Sequence, residues 1–174
     1  MKKIETMLLF SFLITGCSPA QPDSDVPKKE AISTSSTQAN APSFFHLNVL
    51  KDVNWEEAPS FVDGKIPLKG IEGKIAMADT SIISNKQNEI MWYFLDSEIP
   101  IGKLSIIALK QGSVTPTPVL FQKETSKQTW TTSNTIDSTT SELPLAMSLP
   151  SSGLWLLNIY VNEKYYDQFV ITAE

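Results

Sequence analysis

The sequence predicts an all-β fold, an antiparallel β-sandwich of about seven to nine strands. Short runs of branched and aromatic residues recur from Phe44 onward with a period close to two, and clusters of Gly, Pro, Asn and Ser separate them. No stretch after residue 17 shows a sustained 3.6-residue apolar period with helix caps. Short strands with turn signals between them are typical of a sandwich or a barrel.

The folded part contains six candidate strands before its final hairpin. In chain order they are residues 74–78, 81–84, 89–95, 104–109, 117–122 and 145–149. Residues 89–95 are nearly all apolar, which predicts a strand buried on both faces. Pro116 and Pro118 favour an edge position for residues 117–122, because proline cannot donate a hydrogen bond to a β-ladder.

Two further segments are predicted to be mostly irregular. Residues 53–61 form one helical turn at most, since Pro59 ends it. Residues 123–142 are rich in Ser and Thr and form a surface excursion with room for one edge strand.

The end of the chain carries the clearest unit, a β-hairpin. Residues 153–161 and 164–172 flank Asn162-Glu163, which is hairpin spacing. One face of the first strand is apolar, whereas Asn158 and Asn162 point the other way. The residues of the apolar face are Trp155, Leu157, Ile159 and Val161. Asn-Glu is not the preferred Asn-Gly, so the turn is either two residues long or one residue longer.

The first seventeen residues have the layout of a secretory signal. Two lysines precede the apolar run 7–14, which is too short to span a membrane. The ending Ile14-Thr15-Gly16-Cys17 resembles the bacterial lipobox, which implies cleavage after Gly16 and a diacylglyceryl group on Cys17. Two acyl chains hold a protein on a membrane where one chain is marginal. We expect residues 1–16 to be a signal peptide.

Residues 17–42 are predicted to be a lipidated cysteine and a disordered linker, followed by a β-sandwich domain at 43–174. The linker is rich in Ser, Thr, Pro, Ala and Gln, with too few large aliphatic residues to offset its ordering entropy. A flexible coil of this length spans on the order of 25–30 Å. The predicted location is the extracytoplasmic face of a cell membrane.

Composition excludes several classes of function. The chain has no Arg, so it lacks the guanidinium fork that recognises phosphate and carboxylate groups. Its net charge of −5 repels nucleic acid at long range. A single cysteine excludes an intramolecular disulfide and a zinc site of several cysteines, and a single histidine, His46, excludes any site that needs two imidazoles. We expect no cofactor and no nucleic-acid partner.

Candidate catalytic and metal sites are weak. Asp52, Glu56 and Glu57 cluster near Trp55 and could act as the paired carboxylates of a hydrolase, although such a cluster is also typical of a solvated surface. Asp63-Gly64 and residues 137–142 are acidic and loop-like, yet neither has the spacing of a calcium loop. His46 is expected to be partly exposed beside a first strand.

Two glycine-based motifs are absent. No Gly-x-Ser-x-Gly elbow occurs, and residues 70–73 lack the Lys-Ser/Thr ending of a phosphate-binding loop. We therefore predict no catalytic residues and no metal ligands.

Trp130 is the candidate ligand-binding residue. It lies among Thr and Ser residues, which predicts an exposed side chain, and an exposed Trp is a plausible contact point for a partner. Trp92 and Trp155 lie in strong strand patterns and are expected in the core.

Three runs resemble a group of uncharacterised lipoproteins from Bacillus and its relatives: residues 90–94 (Ile-Met-Trp-Tyr-Phe), 103–108 (Lys-Leu-Ser-Ile-Ile-Ala) and 149–161 (beginning Leu-Pro-Ser-Ser-Gly-Leu-Trp). The resemblance covers roughly residues 55–174. It implies an immunoglobulin-like β-sandwich on the surface of a Gram-positive cell and no known activity. This chain departs from the group at Glu163, where the group has Gly, and at Tyr93, where it has His; without that His, acid–base chemistry on this strand is not expected.

The leading hypothesis is a non-enzymatic binding module of the cell envelope, with an unknown protein, peptide or envelope polymer as its partner. One alternative is a hydrolase of envelope glycan or peptide that uses the acids at 52, 56 and 57. Another is a structural component of the envelope or spore without a discrete ligand.

Overall fold

A computed structural model describes residues 41–122 and 125–174 of the chain. The predicted signal peptide, Cys17 and the linker up to residue 40 lie outside the described residues. In the part that is described, no helix is both long and apolar enough to cross a membrane.

The described chain folds into two antiparallel β-sheets. A short 3₁₀ helix, Leu47–Leu50, precedes the strands. The strands are β1 (Ser60–Asp63), β2 (Ile66–Ile71), β3 (Ile75–Ala78), β4 (Asn88–Phe94), β5 (Gly102–Lys110), β6 (Thr117–Pro118), β7 (Leu120–Gln122), β8 (Lys127–Thr129), β9 (Thr131–Ile136), β10 (Glu142–Met147), β11 (Gly153–Val161) and β12 (Lys164–Ala173).

One sheet has seven strands in the order β1-β2-β3-β4-β10-β7-β8, and the other has the order β12-β11-β5-β6 with β9 also paired to β5. The predicted antiparallel β-sandwich is therefore confirmed. The described residues form twelve strands instead of seven to nine, because short strands arise where the chain changes sheet. At 117–122, for example, the predicted single strand divides at Val119 into β6 of one sheet and β7 of the other.

Several element predictions need correction. Residues 53–59 form no helical turn, and the turn lies earlier, at Leu47–Leu50. Residues 81–84 form only an isolated parallel bridge between Ile82 and Ala173. The excursion at 123–142 holds two strands, β8 and β9, before β10 begins. Ile82 and β9 pair with strands distant in sequence, β12 and β5, and local composition does not report such pairing.

Strand β4 is buried on one face only, contrary to the prediction. Ile90, Trp92 and Phe94 are buried, whereas Met91 and Tyr93 remain partly exposed. Strands β5 and β11 are the ones buried on both faces, from Leu104 to Leu109 and from Trp155 to Val161. The difference follows from position, since β5 lies between β11 and the strands β6 and β9 in a sheet that is covered on both sides.

The main core fills the space between the two sheets. Trp92 and Trp155 both lie in it, as predicted, and Trp92 packs against Phe169 with ring centroids 5.7 Å apart. The apolar face predicted for β11 also points into this core; its residues are Trp155, Leu157, Ile159 and Val161. At about 25 cal/mol per Å² of apolar surface removed from water, this layer supplies the main stabilisation of the sandwich.

A second apolar cluster covers the outer face of the β5–β11–β12 sheet. Its buried members on the sheet are Ile107, Leu109, Leu156, Tyr160 and Val170. The chain from residue 41 to residue 58, which we call the strap, crosses this face and buries Phe45 against it. Other strap residues pack there with partial exposure: Ala41, Phe44, Leu47, Val49, Leu50, Val53 and Trp55.

Hydrogen bonds to β12 fix the strap at three points. The Gln168 amide nitrogen donates to the carbonyl oxygen of Val49 at 3.3 Å. The backbone N–H of Ala58 donates to the carbonyl of Val170 at 2.8 Å, and the N–H of Thr172 donates to a Glu57 carboxylate oxygen at 3.2 Å. The strap thereby occupies backbone groups along β12 that an edge strand would otherwise leave open.

The final hairpin has a two-residue turn. Val161 pairs with Lys164, and Asn162 and Glu163 both have positive φ, 49° and 64°, as a type I′ turn requires. The longer alternative is therefore wrong. A bulge follows, because Ile159 pairs with Asp167 while Tyr160 pairs with Tyr165.

We expect Phe45→Ala to lower the free energy of unfolding by about 3 kcal/mol, because it removes a fully buried ring from between the strap and the sheet. The neighbouring exposed residue provides the control: His46→Ala should change the value by less than about 0.5 kcal/mol. Urea denaturation followed by Trp fluorescence measures both. Equal stabilities for the two variants would mean that the strap contributes little to the fold.

Candidate binding groove

A groove runs between the strap and the final hairpin, with a volume of ≈ 450 Å³. We call it the strap groove. Five of its lining residues come from the strap and four from the hairpin strands and turn: Phe44, His46, Asn48, Val49, Lys51, Tyr160, Glu163, Tyr165 and Gln168. The groove lies where the 3₁₀ helix of the strap meets the bulged end of the hairpin.

Aromatic rings form one wall of the strap groove. The Tyr160 ring is buried between two others. The Phe44 ring centroid is 5.1 Å from it at an interplanar angle of 54°, and the Tyr165 ring centroid is 5.7 Å from it at 79°. Tyr165 is 52% exposed and presents its ring to solvent. Burial raises the pKa of Tyr160 to about 12 and also raises the pKa of Tyr165. Both phenols therefore stay protonated at neutral pH and can donate hydrogen bonds.

Charged and amide side chains surround the aromatic wall. His46, Lys51 and Glu163 are exposed at the rim, so that the groove carries both signs of charge. Asn48, also exposed, adds an uncharged donor and acceptor. An apolar wall with a few polar groups around it is the usual composition of a small-molecule site.

Two amide side chains lie side by side on the sheet face beneath the strap. Asn158 and Gln168 are directly paired across β11 and β12. The Asn158 side-chain nitrogen donates to the carbonyl of Ile107 at 3.0 Å, and that of Gln168 donates to Val49. Within the described part of the chain, the side-chain oxygens of both amides are buried without a hydrogen-bond partner. A buried acceptor left unpaired costs about 1–3 kcal/mol.

A second cavity, of ≈ 180 Å³, lies where β10 separates from β7. These strands pair only at Met147 and Leu120, and β9 lies across the gap with Thr132 and Asn134. Pro144 lines the cavity and has no backbone N–H, so this part of the strand edge has little capacity to pair with another strand.

The prediction of an exposed Trp130 side chain is wrong, because the side chain is partly buried. Its ring packs against the apolar cluster on the outer face of the sheet, and its carbonyl accepts a hydrogen bond from Ile106 at 3.0 Å. The chain changes sheets at this residue, between β8 and β9, which brings the side chain onto the apolar face. Trp130 is not among the lining residues of the strap groove, and its role as a ligand contact stays a prediction.

The three acids of the hydrolase hypothesis are exposed, and none of them lines the strap groove. Glu56 accepts a hydrogen bond from the Asn54 amide at 2.9 Å. Glu57 accepts from Lys69 at 2.8 Å, and this hydrogen bond is the largest cause of a lowered pKa at Glu57. A general acid needs a raised pKa, so the setting of Glu57 favours an ion pair that joins the strap to β2.

The two acidic loops form backbone turns. Asp63 ends β1 before Gly64, whose φ is +60°. One carboxylate oxygen of Asp137 accepts hydrogen bonds from the backbone and hydroxyl of Thr139 at 2.9 and 2.7 Å and from the Thr140 hydroxyl at 3.1 Å. In residues 41–122 and 125–174, no group of three or more His, Cys, Asp or Glu side chains is placed to hold a metal ion.

The sequence did not predict that His46 and Tyr165 would line the same groove. His46 is exposed beside the 3₁₀ helix instead of a first strand. Tyr165 belongs to the predicted hairpin, yet its position in the groove depends on the bulge near Tyr166, which the alternating pattern does not show. The sequence does indicate a polar position on this face of the sheet, because Asn158 is a polar residue inside a long apolar strand.

The sequence matches the family described as a domain of unknown function, DUF4871, over residues 44–171. The structure is similar to the crystal structure of a presumed lipoprotein from Bacillus anthracis, with a TM-score of 0.77 and 83% sequence identity. That match covers 80% of this chain and 100% of the other. No curated protein matches the sequence.

We expect Lys69→Met to lower the free energy of unfolding by up to about 1 kcal/mol at pH 7, because Lys69 pairs with both Glu57 and Asp79. The pKa of Asp79 is lowered first by the Ser60 hydroxyl and then by Lys69. Both carboxylates have lowered pKa values, so their stabilisation is present above the ordinary values of 4.5 and 3.8 and is lost as the pH falls through the folded values.

The difference in free energy of unfolding between Lys69→Met and the native protein, measured by urea denaturation, should therefore shrink towards pH 2. The exposed Lys65 of the β1–β2 turn supplies the control, and Lys65→Met should show no such pH dependence. A difference that is the same at pH 7 and pH 2 would contradict the ion-pair explanation.

Proposed function

The chain belongs to the DUF4871 family of domains of unknown function, and we propose that it is a lipid-anchored extracytoplasmic protein whose folded domain is a non-enzymatic binding module. The proposal has two parts, an anchor at Cys17 and a ligand site in the strap groove. Each part rests on a different observation and has its own test.

The anchor is supported by the sequence and by the relative. The ending Ile14-Thr15-Gly16-Cys17 resembles a lipobox, and the chain's single cysteine lies at the position that lipidation requires. A protein 83% identical to this one is described as a presumed lipoprotein, from Bacillus anthracis. We accordingly place this protein on the outer face of a Gram-positive cell membrane.

The observation that carries the binding function is the strap groove with its exposed aromatic residue. Tyr165 is 52% exposed beside the buried Tyr160, and polar side chains of both charge signs surround the two rings. A Tyr ring offers apolar contact area and a hydroxyl at little cost in conformational entropy, which suits it to recognition. The acids that would support hydrolysis lie elsewhere, and Glu57 is held in an ion pair.

The strap also gives the groove a defined shape. Three hydrogen bonds to β12 and the buried ring of Phe45 fix the strap on the sheet. A site whose walls are already ordered loses less conformational entropy when a ligand binds. The proposed module therefore resembles a rigid receptor more than a segment that folds on its partner.

We expect Cys17→Ala to release the protein from the membrane fraction of intact cells, because the substitution removes the sulfur that would carry the lipid. Fractionation followed by immunoblotting measures this, with Cys17→Ser as a second variant. Native protein recovered from membranes should carry the added mass of the lipid on its N-terminal peptide. Continued membrane fractionation of both variants would show that the anchor is not at Cys17.

We expect a photo-crosslinking aromatic residue placed at Tyr165 in the full chain on intact cells to give a discrete adduct. The same group at Ile101, which is 65% exposed and does not line the strap groove, provides the matched control. The adduct at position 165 should weaken when Phe44→Ala is added. No adduct at 165, or equal labelling at 165 and 101, would contradict a binding site in the strap groove.

A further inference from the structure

We infer that the strap groove binds an uncharged oligosaccharide, with the exposed ring of Tyr165 against a sugar ring and the Gln168 side-chain oxygen accepting a hydrogen bond from a sugar hydroxyl or amide. This inference rests on the proposed binding function and names the class of ligand. It is carried by the unpaired Gln168 oxygen beneath the strap and by the composition of the groove, which Gln168 lines.

The buried amides need a hydrogen-bond donor that the described protein does not supply. Asn158 is fully buried, and its oxygen and that of Gln168 lack partners while their nitrogens are engaged. The surrounding face is otherwise apolar, with Ile107, Leu156 and Val170. Buried polar groups are ordinarily satisfied, and of these two acceptors the Gln168 oxygen belongs to a residue that lines the groove, where the donor of a ligand would satisfy it.

Gln168 connects these acceptors to the groove. It lines the strap groove directly and pairs across the strands with Asn158 behind it. The hydrogen bond from its amide nitrogen to the Val49 carbonyl oxygen is long, at 3.3 Å. The terminal torsion angle of a glutamine side chain also has a broad distribution. The Gln168 oxygen is buried, so in this proposal the amide rotates about that torsion to meet a ligand in the groove, whose donor then satisfies it.

The remaining groups of the groove match a sugar. A pyranose has an apolar face of C–H groups and a rim of hydroxyls, which suits an exposed aromatic ring beside amide, imidazole and carboxylate groups. Asn48, His46 and Glu163 supply that polar rim. Lys51 and Glu163 have opposite charge, so the groove does not select a polyion, and the net charge of −5 disfavours a polyanion.

The test uses the full chain purified in detergent and a set of tetrasaccharides: β-linked N-acetylglucosamine, β-linked glucose and α-linked glucose. Binding is measured by saturation-transfer NMR and by titration calorimetry. We expect at least one tetrasaccharide to bind, and Tyr165→Ala to weaken its binding at least tenfold. Tyr165→Phe, which keeps the ring, should weaken it less.

Gln168→Leu tests the acceptor. It should also weaken binding at least tenfold, whereas Gln111→Leu, an exposed glutamine outside the groove, should leave binding unchanged. Thermal melting checks that both variants fold, and Tyr165→Ala provides an independent test should Gln168→Leu unfold. Binding that survives both Tyr165→Ala and Gln168→Leu overturns the inference, as does the failure of every tetrasaccharide.

The outcomes separate this inference from the proposed function. Failure of all three sugars together with a discrete protein adduct at position 165 on cells overturns the glycan ligand and leaves the binding module in place. Failure of the sugars together with equal labelling at 165 and 101 overturns both. A crystal structure with an ordered water on the Gln168 oxygen, from protein that binds no sugar, would show that water is the partner of this acceptor and would overturn the inference.

Discussion

The β5–β11–β12 sheet is apolar on both faces, and the rest of the structure depends on that constraint. Ile106 and Ile159 point to one side, and Ile107 and Leu156 to the other, so burying only one face would leave the second in water. The seven-stranded sheet covers the first face. The strap covers the second, which makes residues 41–58 a third layer of the fold.

This arrangement also explains where the candidate site lies. An irregular segment laid across a sheet cannot match its surface everywhere, and the strap groove lies where the 3₁₀ helix meets the bulged end of the hairpin. The polar residues Asn158 and Gln168 interrupt the apolar face near this point. The strap groove is thus a consequence of closing the outer face with a strap instead of a strand.

The sequence predicts the sandwich and the final hairpin correctly because alternation is a local signal. Every second residue from Trp155 to Val161 is large and apolar, and these residues share the core face. Burial on both faces is not local. Residues 89–95 and residues 104–109 are similarly apolar, but only the second run lies between strands in a sheet covered on both sides, and neighbours distant in sequence decide this. For the same reason Trp130 is covered, although its neighbours in sequence are polar.

The position of the strap in the chain has a mechanical consequence. A force applied to the N-terminal end of the described residues reaches the strap before any strand, and it loads Phe44 and Phe45 first and the Ala58 hydrogen bond last. Detaching the strap would remove one wall of the groove without breaking a strand pair, because no residue of the strap belongs to a strand ladder. If the strap groove holds the ligand that we propose, the occupancy of the site and the tension on the chain are linked, and a ligand that bridges strap and hairpin would raise the force at which they separate.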